Sequence, residues 1–290
     1  MTVQLYSVTD EGAVHLPVPP DAKTIHDPFR DLPLGVYSAF RTYQHFKFLR
    51  LDAHIDRTVK SMKLLGWTYE LDRPRFYRAL DTACRAYPLA EARVRVDVLA
   101  APAARLGTDS RELISLAPFQ PLPESYYSEG VSVEIVAKLR RSSPKVKNAT
   151  FVEERESFQK EKKGSHELLM VNSKGEILEG AGSNFYGVRD GVLYTAQEGV
   201  LDGIARGLVL ELAADEGIPV VFRPVRLDEI SQLDEAGLSS SSRGYMPVVE
   251  ISGRIVGSGR PGPVAIRLRE LYEDYVARSA RPALAFPISI

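Results

Sequence analysis

Five segments of this 290-residue sequence carry polar or charged side chains where a plain core element would not. They are Arg57 in HIDR, Lys147 in PKVKNATF, Glu179 to Asn184 (EGAGSN), Leu201 to Arg206 (LDGIAR), and the serine run Ser239 to Ser242 followed by RGYMPV. A lysine that condenses with an aldehyde must first lose its proton, and partly apolar surroundings favour that loss by penalising the ammonium form. Val146 and Phe151 give Lys147 such surroundings, and Lys145 stays a second candidate. Gly203, Ile204 and Ala205 open a predicted helix, so their unused amides and the positive end of its dipole suit an anion such as phosphate.

Taken singly, each segment has a plainer reading. A lysine is usually solvated, Glu179-Gly180 is a turn between strands, Asp202 is a helix N-cap, and a serine run is a flexible linker. Leu238 before the serines and Met246-Pro247-Val248 after them argue for a packed turn instead. It is the order of the five that calls for one explanation.

Bulk composition narrows the classes. Lys plus Arg total 37 against 38 for Asp plus Glu, a formal net charge of -1, which leaves no electrostatic footprint for nucleic acid or an anionic membrane. The single cysteine, Cys84, allows no intramolecular disulfide, and the five histidines are not paired at helical spacing, so no metal site is expected. Met1 to Leu16 lacks the basic start and apolar run of a signal peptide, and no stretch approaches the ~20 apolar residues of a membrane span. A soluble, cytoplasmic protein acting on small molecules is the expectation.

The elements that must position these residues form an α+β pattern in two domains. Val36 to Tyr43 and Phe46 to Leu51 read as a hairpin turning at Gln44-His45. Asp52 is the expected N-cap of a helix to about Leu65, closed by Gly66, and Asp72 with Pro74 opens a second. Arg93 to Leu99 alternates as a half-buried strand with Arg93, Arg95 and Asp97 on one face, and Leu113 to Ala117 is its expected partner. Pro118, Pro121 and Pro123 mark an interdomain linker, giving a smaller domain over 1–123 and a larger, strand-rich one over 124–290. The latter should hold strands at 131–136, 167–171, 184–188 and 192–195, and helices near 151–162, 203–215 and 264–277.

The five segments, in this order, resemble the fold-type IV pyridoxal-phosphate enzymes, which include branched-chain aminotransferases, D-amino acid aminotransferases and aminodeoxychorismate lyases. The resemblance runs from about Gly35 to Tyr272. It implies a two-domain fold with the cofactor between the domains, a homodimer that completes the pocket, and Lys147 as the lysine that holds pyridoxal 5'-phosphate. It further implies that Glu179 keeps the pyridine nitrogen protonated, with Ser183 and Asn184 bracing its loop. Arg57 would pair with the phosphate, joined by Leu201, Gly203, Ile204, Ala205, Ser240 and Ser241. Ala205 stands where the family's Leu-x-Gly-Ile-Thr-Arg has threonine, removing one hydroxyl contact.

The activity implied is transfer of an amino group between an L-amino acid, branched-chain, otherwise apolar or glutamate, and a 2-oxo acid. Tyr37, Arg41, Arg93, Arg95 and Ser242 are the substrate candidates, with Arg95 matched to the arginine that accepts a second carboxylate. The competing readings are an aminodeoxychorismate lyase, a D-amino acid or (R)-amine aminotransferase, and a non-catalytic binder of the cofactor.

Overall fold

The computed structural model describes residues 3–287, which divide into two compact units. The first comprises the chain to Gln120, Val146–Val152 and the chain from Val276; the second comprises Pro121–Lys145 and Glu153–Tyr275. These units do not follow a single cut at residue 124. The segment around Lys147 joins the first unit through backbone hydrogen bonds to a strand there, and the C-terminal tail joins it by burying Ala283 and Phe286 in its core.

In the first unit, β1 (Gln4–Thr9) and β2 (Gly12–Leu16) form a hairpin, followed by β3 (Gly35–Arg41), β4 (Lys47–Phe48), α1 (Leu51–Leu64), α2 (Arg73–Ala86), β5 (Ala92–Leu99) and β6 (Glu112–Pro118). Among the described residues these strands give a five-stranded sheet in the order β2-β1-β6-β5-β3. The α2 residues Phe76, Leu80 and Ala83 bury against Val8, Val94, Val96, Ile114 and Leu116 of the sheet. Each large apolar side chain so buried contributes roughly 1.5–3 kcal/mol. The opposite face is covered too, by Phe29 and neighbouring apolar residues against Leu5, Leu99 and Leu113, so β5 is buried almost throughout rather than on one side.

Two local expectations change here. β3 pairs along its length with β5, and only Tyr43 and Lys47 bridge across the left-handed Gln44 and His45 (φ 47° and 82°). The short β4 instead pairs with β17 (Arg281–Pro282), contributed by the tail. Helix α1 starts two residues early, on the fully buried Leu51, with left-handed Arg50 as its cap, which leaves Asp52 inside the first turn. Asp72 does cap α2, accepting the Arg75 N–H at 3.0 Å, and Gly66 closes α1 at φ 74°.

In the second unit the chain forms α3 (Ser125–Ser128), β7 (Val131–Val136), α4 (Thr150–Ser157, begun in the first unit), β8 (Glu167–Val171), β9 (Glu176–Gly180), β10 (Asn184–Arg189) and β11 (Val192–Tyr194). There follow α5 (Ile204–Asp215), β12 (Val220–Val221), β13 (Val225–Arg226), β14 (Glu235–Ser240), β15 (Gly244–Ile251), β16 (Arg254–Ile255) and α6 (Pro263–Ser279). Strands pair in the order β10-β14-β15-β7-β8-β9, and Glu179 of β9 pairs back to Asn184 of β10, so among the described residues six strands close on themselves. Val133, Leu169, Val171, Ile177, Phe185, Leu238 and Met246 are among the residues that fill the core. The Asp190-Gly191 turn joins β10 to β11 with both residues left-handed (φ 52° and 73°), as a two-residue hairpin loop requires. Among the described residues no helix is long and apolar enough to cross a membrane.

Candidate functional site

Lys147 lies on the first unit. The Tyr37 N–H donates to the Lys147 carbonyl at 2.9 Å and the Ala149 N–H to the Gly35 carbonyl at 2.8 Å, so this segment is fastened to β3 through a single antiparallel bridge between Val36 and Asn148. The Lys147 N–H donates to the Ser61 hydroxyl of α1 at 3.3 Å, and its Nζ stands 4.9 Å from the centre of the Tyr37 ring. Arg57, buried on α1, donates to the Ser38 hydroxyl at 2.9 Å, and Ser38 donates in turn to the His54 carbonyl. Burial holds the His54 imidazole well below its usual range, and the nearby Arg57 and Lys147 charges push the same way. A neutral ring thus stands among these cations. Lys145, by contrast, belongs to the second unit and is ion-paired with Asp202 at 2.8 Å, which also takes Asp202 away from capping α5; the residue at that N-cap is Gly203.

In the second unit Glu179 is the penultimate residue of β9, with 2% of its surface exposed. Its Oε1 accepts from Arg141 Nε at 2.8 Å, and its Oε2 accepts from the Asn184 amide and the Leu201 N–H, both at 3.1 Å. Asn184 also donates to the Leu201 carbonyl, which ties the β9–β10 loop to the segment before α5. At the start of α5 the N-cap Gly203 supplies no capping side chain, and a Cβ there would run into the Asn184 Oδ1, so only glycine lets the two segments approach this closely. Ile204 and Ala205 follow in the first turn.

Ser240 ends β14, and Ser241 and Ser242 form the half-buried turn into β15. The Ser240 hydroxyl accepts from Arg243 Nε at 3.0 Å. Ser183 donates to Glu167 at 3.5 Å. This turn is packed, with its preceding Leu238 and following Met246 in the core.

The arginines proposed for a substrate carboxylate are placed otherwise. Arg95 is 1% exposed and grips Asp97 with two hydrogen bonds of 2.7 Å, while its third nitrogen meets His26 Nδ1 at 2.9 Å. The rings of Phe29 and Tyr37 lie over its guanidinium. Burial pushes the Asp97 carboxyl up, opposed by the Arg95 charge. Arg41 stacks on the Phe119 ring at 3.6 Å and reaches Glu91 at 3.8 Å, directly across the strand pair from half-buried Arg93. Tyr37 is 2% exposed against Lys147.

Nothing in the sequence marks Arg141, His166 or Glu167 as site residues, and Arg243, although it follows the serine run, has no role assigned by the spacing. Arg141 sits in the run KLRRSS, which reads as a solvated basic stretch, yet its side chain is only 5% exposed.

The family profile described as Amino-transferase class IV matches residues 35–251. The branched-chain-amino-acid aminotransferase of Pseudomonas aeruginosa is 28% identical over 265 residues, covering 84% of this chain and 84% of that one. The D-alanine aminotransferase of Staphylococcus haemolyticus is 36% identical over 109 residues, covering 37% of this chain and 39% of that one. Among solved structures, the branched-chain aminotransferase of the thermophilic archaeon Thermoproteus uzoniensis with norvaline matches with a TM-score of 0.75 at 25% identity, covering 98% and 99% of the two chains.

Proposed function

Because the chain belongs to the class IV aminotransferases, we propose that it moves an amino group between an L-amino acid with a branched-chain or other apolar side chain and a 2-oxo acid, with pyridoxal 5'-phosphate as its resident group. The observation that carries this reading is the fixed, buried carboxylate of Glu179. Arg141, Asn184 and the Leu201 amide together keep it in place and compensate its charge, and its oxygens retain lone pairs for one further donor. That suits a protonated pyridine nitrogen.

The other donors fit the same group. Arg57 and the first-turn amides of α5 are of the kind that binds phosphate, with Ser240 and Ser241 as hydroxyl donors. When bound, pyridoxal phosphate supplies an aldehyde carbon and an electron-accepting ring. Lys147 then has two tasks, holding that carbon and carrying a proton to and from the substrate α-carbon. Tyr37 packs against the lysine and limits where its amine can go. Glu179 holds the ring proton, and Ser242 with the turn around it would receive the substrate carboxylate. A second copy of the chain completing the pocket belongs to this proposal.

The name of the Pseudomonas aeruginosa relative supports the branched-chain reading, and the partial match to a D-alanine enzyme gives the stereochemical alternative. Visible absorbance of the purified protein, followed while L-leucine, L-glutamate, D-alanine and an (R)-amine are added in turn, separates them. Loss of the cofactor band with L-leucine and release of its 2-oxo acid is the expected result; a response to D-alanine or the (R)-amine alone overturns the stereochemistry. Pyruvate release from aminodeoxychorismate without an amino acceptor would reassign the chain as a lyase.

A further inference from the structure

Arg243 sits in the turn between β14 and β15, yet its guanidinium reaches well beyond that turn. Its Nε donates to the Ser240 hydroxyl at 3.0 Å, one terminal nitrogen meets His166 Nε2 at 2.8 Å, and the other donates to Glu167 at 3.1 Å and to the Gly182 carbonyl at 3.3 Å. Its own carbonyl is gripped by the Tyr127 hydroxyl at 3.0 Å, so the residue is held at both ends. Every nitrogen of the fork is engaged, and the partners lie on three separate pieces of chain: the serine turn, the start of β8 and the β9–β10 loop.

The partners are themselves fixed. Glu167 is buried, its other oxygen accepts the Leu168 N–H, and the Arg243 charge helps hold its carboxyl below the usual range against the effect of burial. His166 packs edge-on against the Tyr126 ring, and Arg155 holds the neighbouring Ala181 carbonyl at 3.5 Å. The planar guanidinium can serve three directions at once, where an ammonium on a flexible stem offers a single point of charge.

We infer that Arg243 is a positioning residue that ties the Ser240–Ser242 turn to the Ala181–Ser183 loop and thereby sets the substrate affinity of the site. It touches neither cofactor nor substrate in this assignment; it holds the backbone amides of the turn at a fixed distance from the loop that follows Glu179. The effect on substrate rests on the aminotransferase reading, whereas the mechanical tie does not.

The test uses holoenzyme of the wild type, Arg243→Ala, Arg243→Lys and Glu167→Gln. It combines steady-state kinetics for both substrates with amide hydrogen exchange of the turn and of the loop. With Arg243→Ala, KM should rise about tenfold with kcat within about threefold, as loss of ionic hydrogen bonds to a binding element implies. Exchange should quicken in both segments together, although only the turn contains the substitution. Arg243→Lys should restore less than half of the change, and Glu167→Gln should loosen the same two segments. Should Arg243→Ala fail to fold, the lysine and glutamine variants carry the same comparison. Quickened exchange confined to the turn, an unchanged KM, or full rescue by lysine each overturns the inference. If the wild type transfers no amino group at all, the function is wrong, and paired exchange of the two segments still decides the tie.

Discussion

The Tyr37 N–H donates to the Lys147 carbonyl, so the candidate catalytic lysine is fastened to a strand more than a hundred residues earlier in the chain. Lys147→Ala should lower turnover by at least roughly 10²–10⁴-fold, the range for losing a positioned proton carrier, while the phosphate contacts still retain some cofactor. Lys145→Ala breaks a part-exposed pair with Asp202 and a hydrogen bond to the Gln197 carbonyl and should cost about 1 kcal/mol in stability, with turnover close to wild type. Borohydride reduction and peptide mapping check the assignment, since a label on Lys145 would refute it.

Glu179→Gln should depress kcat strongly, because an amide cannot hold a proton on the ring nitrogen, and should destabilise the fold less than loss of Arg141, because the amide oxygen can still accept from Arg141. Arg141→Ala should act differently. It leaves a buried carboxylate without its cation, and breaking such a pair costs roughly 3–5 kcal/mol. Denaturant unfolding of the two variants separates a chemical role from a structural one; equal destabilisation would contradict the division.

Arg95→Ala should destabilise the protein by roughly 3–5 kcal/mol, since it strands the fully buried Asp97. It should also affect glutamate and leucine alike. A KM increase for glutamate alone would show that Arg95 reaches a substrate carboxylate after all.

Acid should weaken the Arg243 network. Burial depresses the His166 pKa to about 4, with the Arg243 charge acting in the same direction, so the ring is neutral in the folded protein and binds protons more readily when unfolded. Its contribution is therefore complete above about 6.5 and is lost as pH falls towards 4, on the order of 1–2 kcal/mol after solvent screening. The lowered Glu167 carboxyl adds in the same sense at more acid pH. Unfolding free energies across this window for wild type and His166→Gln should converge as the pH drops; parallel curves would exclude His166.

Glu235 of β14 accepts the Val264 and Ala265 amides at 3.1 and 2.7 Å and so caps α6 from another element. Glu235→Ala should cost about 1–2 kcal/mol in denaturant unfolding, in line with loss of a helix cap. No change in the unfolding midpoint would show those amides to be satisfied by water.

Much of the fold was legible because local chemistry and tertiary packing agreed: Asp72 with Pro74 opened α2, the alternation of Arg93 to Leu99 gave β5, and Asp190-Gly191 turned β10 into β11. The partners of β3 and β4 were not, since both come from distant chain and leave no short-range pattern. Order and spacing single out Lys147 and Glu179 as candidates, but not the side chains that hold them. Arg141 and Arg243 look like ordinary surface arginines until the fold buries the first against Glu179 and sets the half-buried second against Glu167. For Arg95 the alternation left two readings open, a ligand for a substrate carboxylate or a partner for Asp97 on the same face, and the fold pairs it with Asp97.

The tail that adds β17 and buries Ala283 and Phe286 bears on how the protein is made. A ribosome completes the second unit's residues, ending at Tyr275, before it delivers the strand and the aromatic anchor that finish the first. The core of the first unit therefore draws on two stretches of chain made on either side of the whole second unit, so its full packing can be reached only after Ala283 and Phe286 have been added.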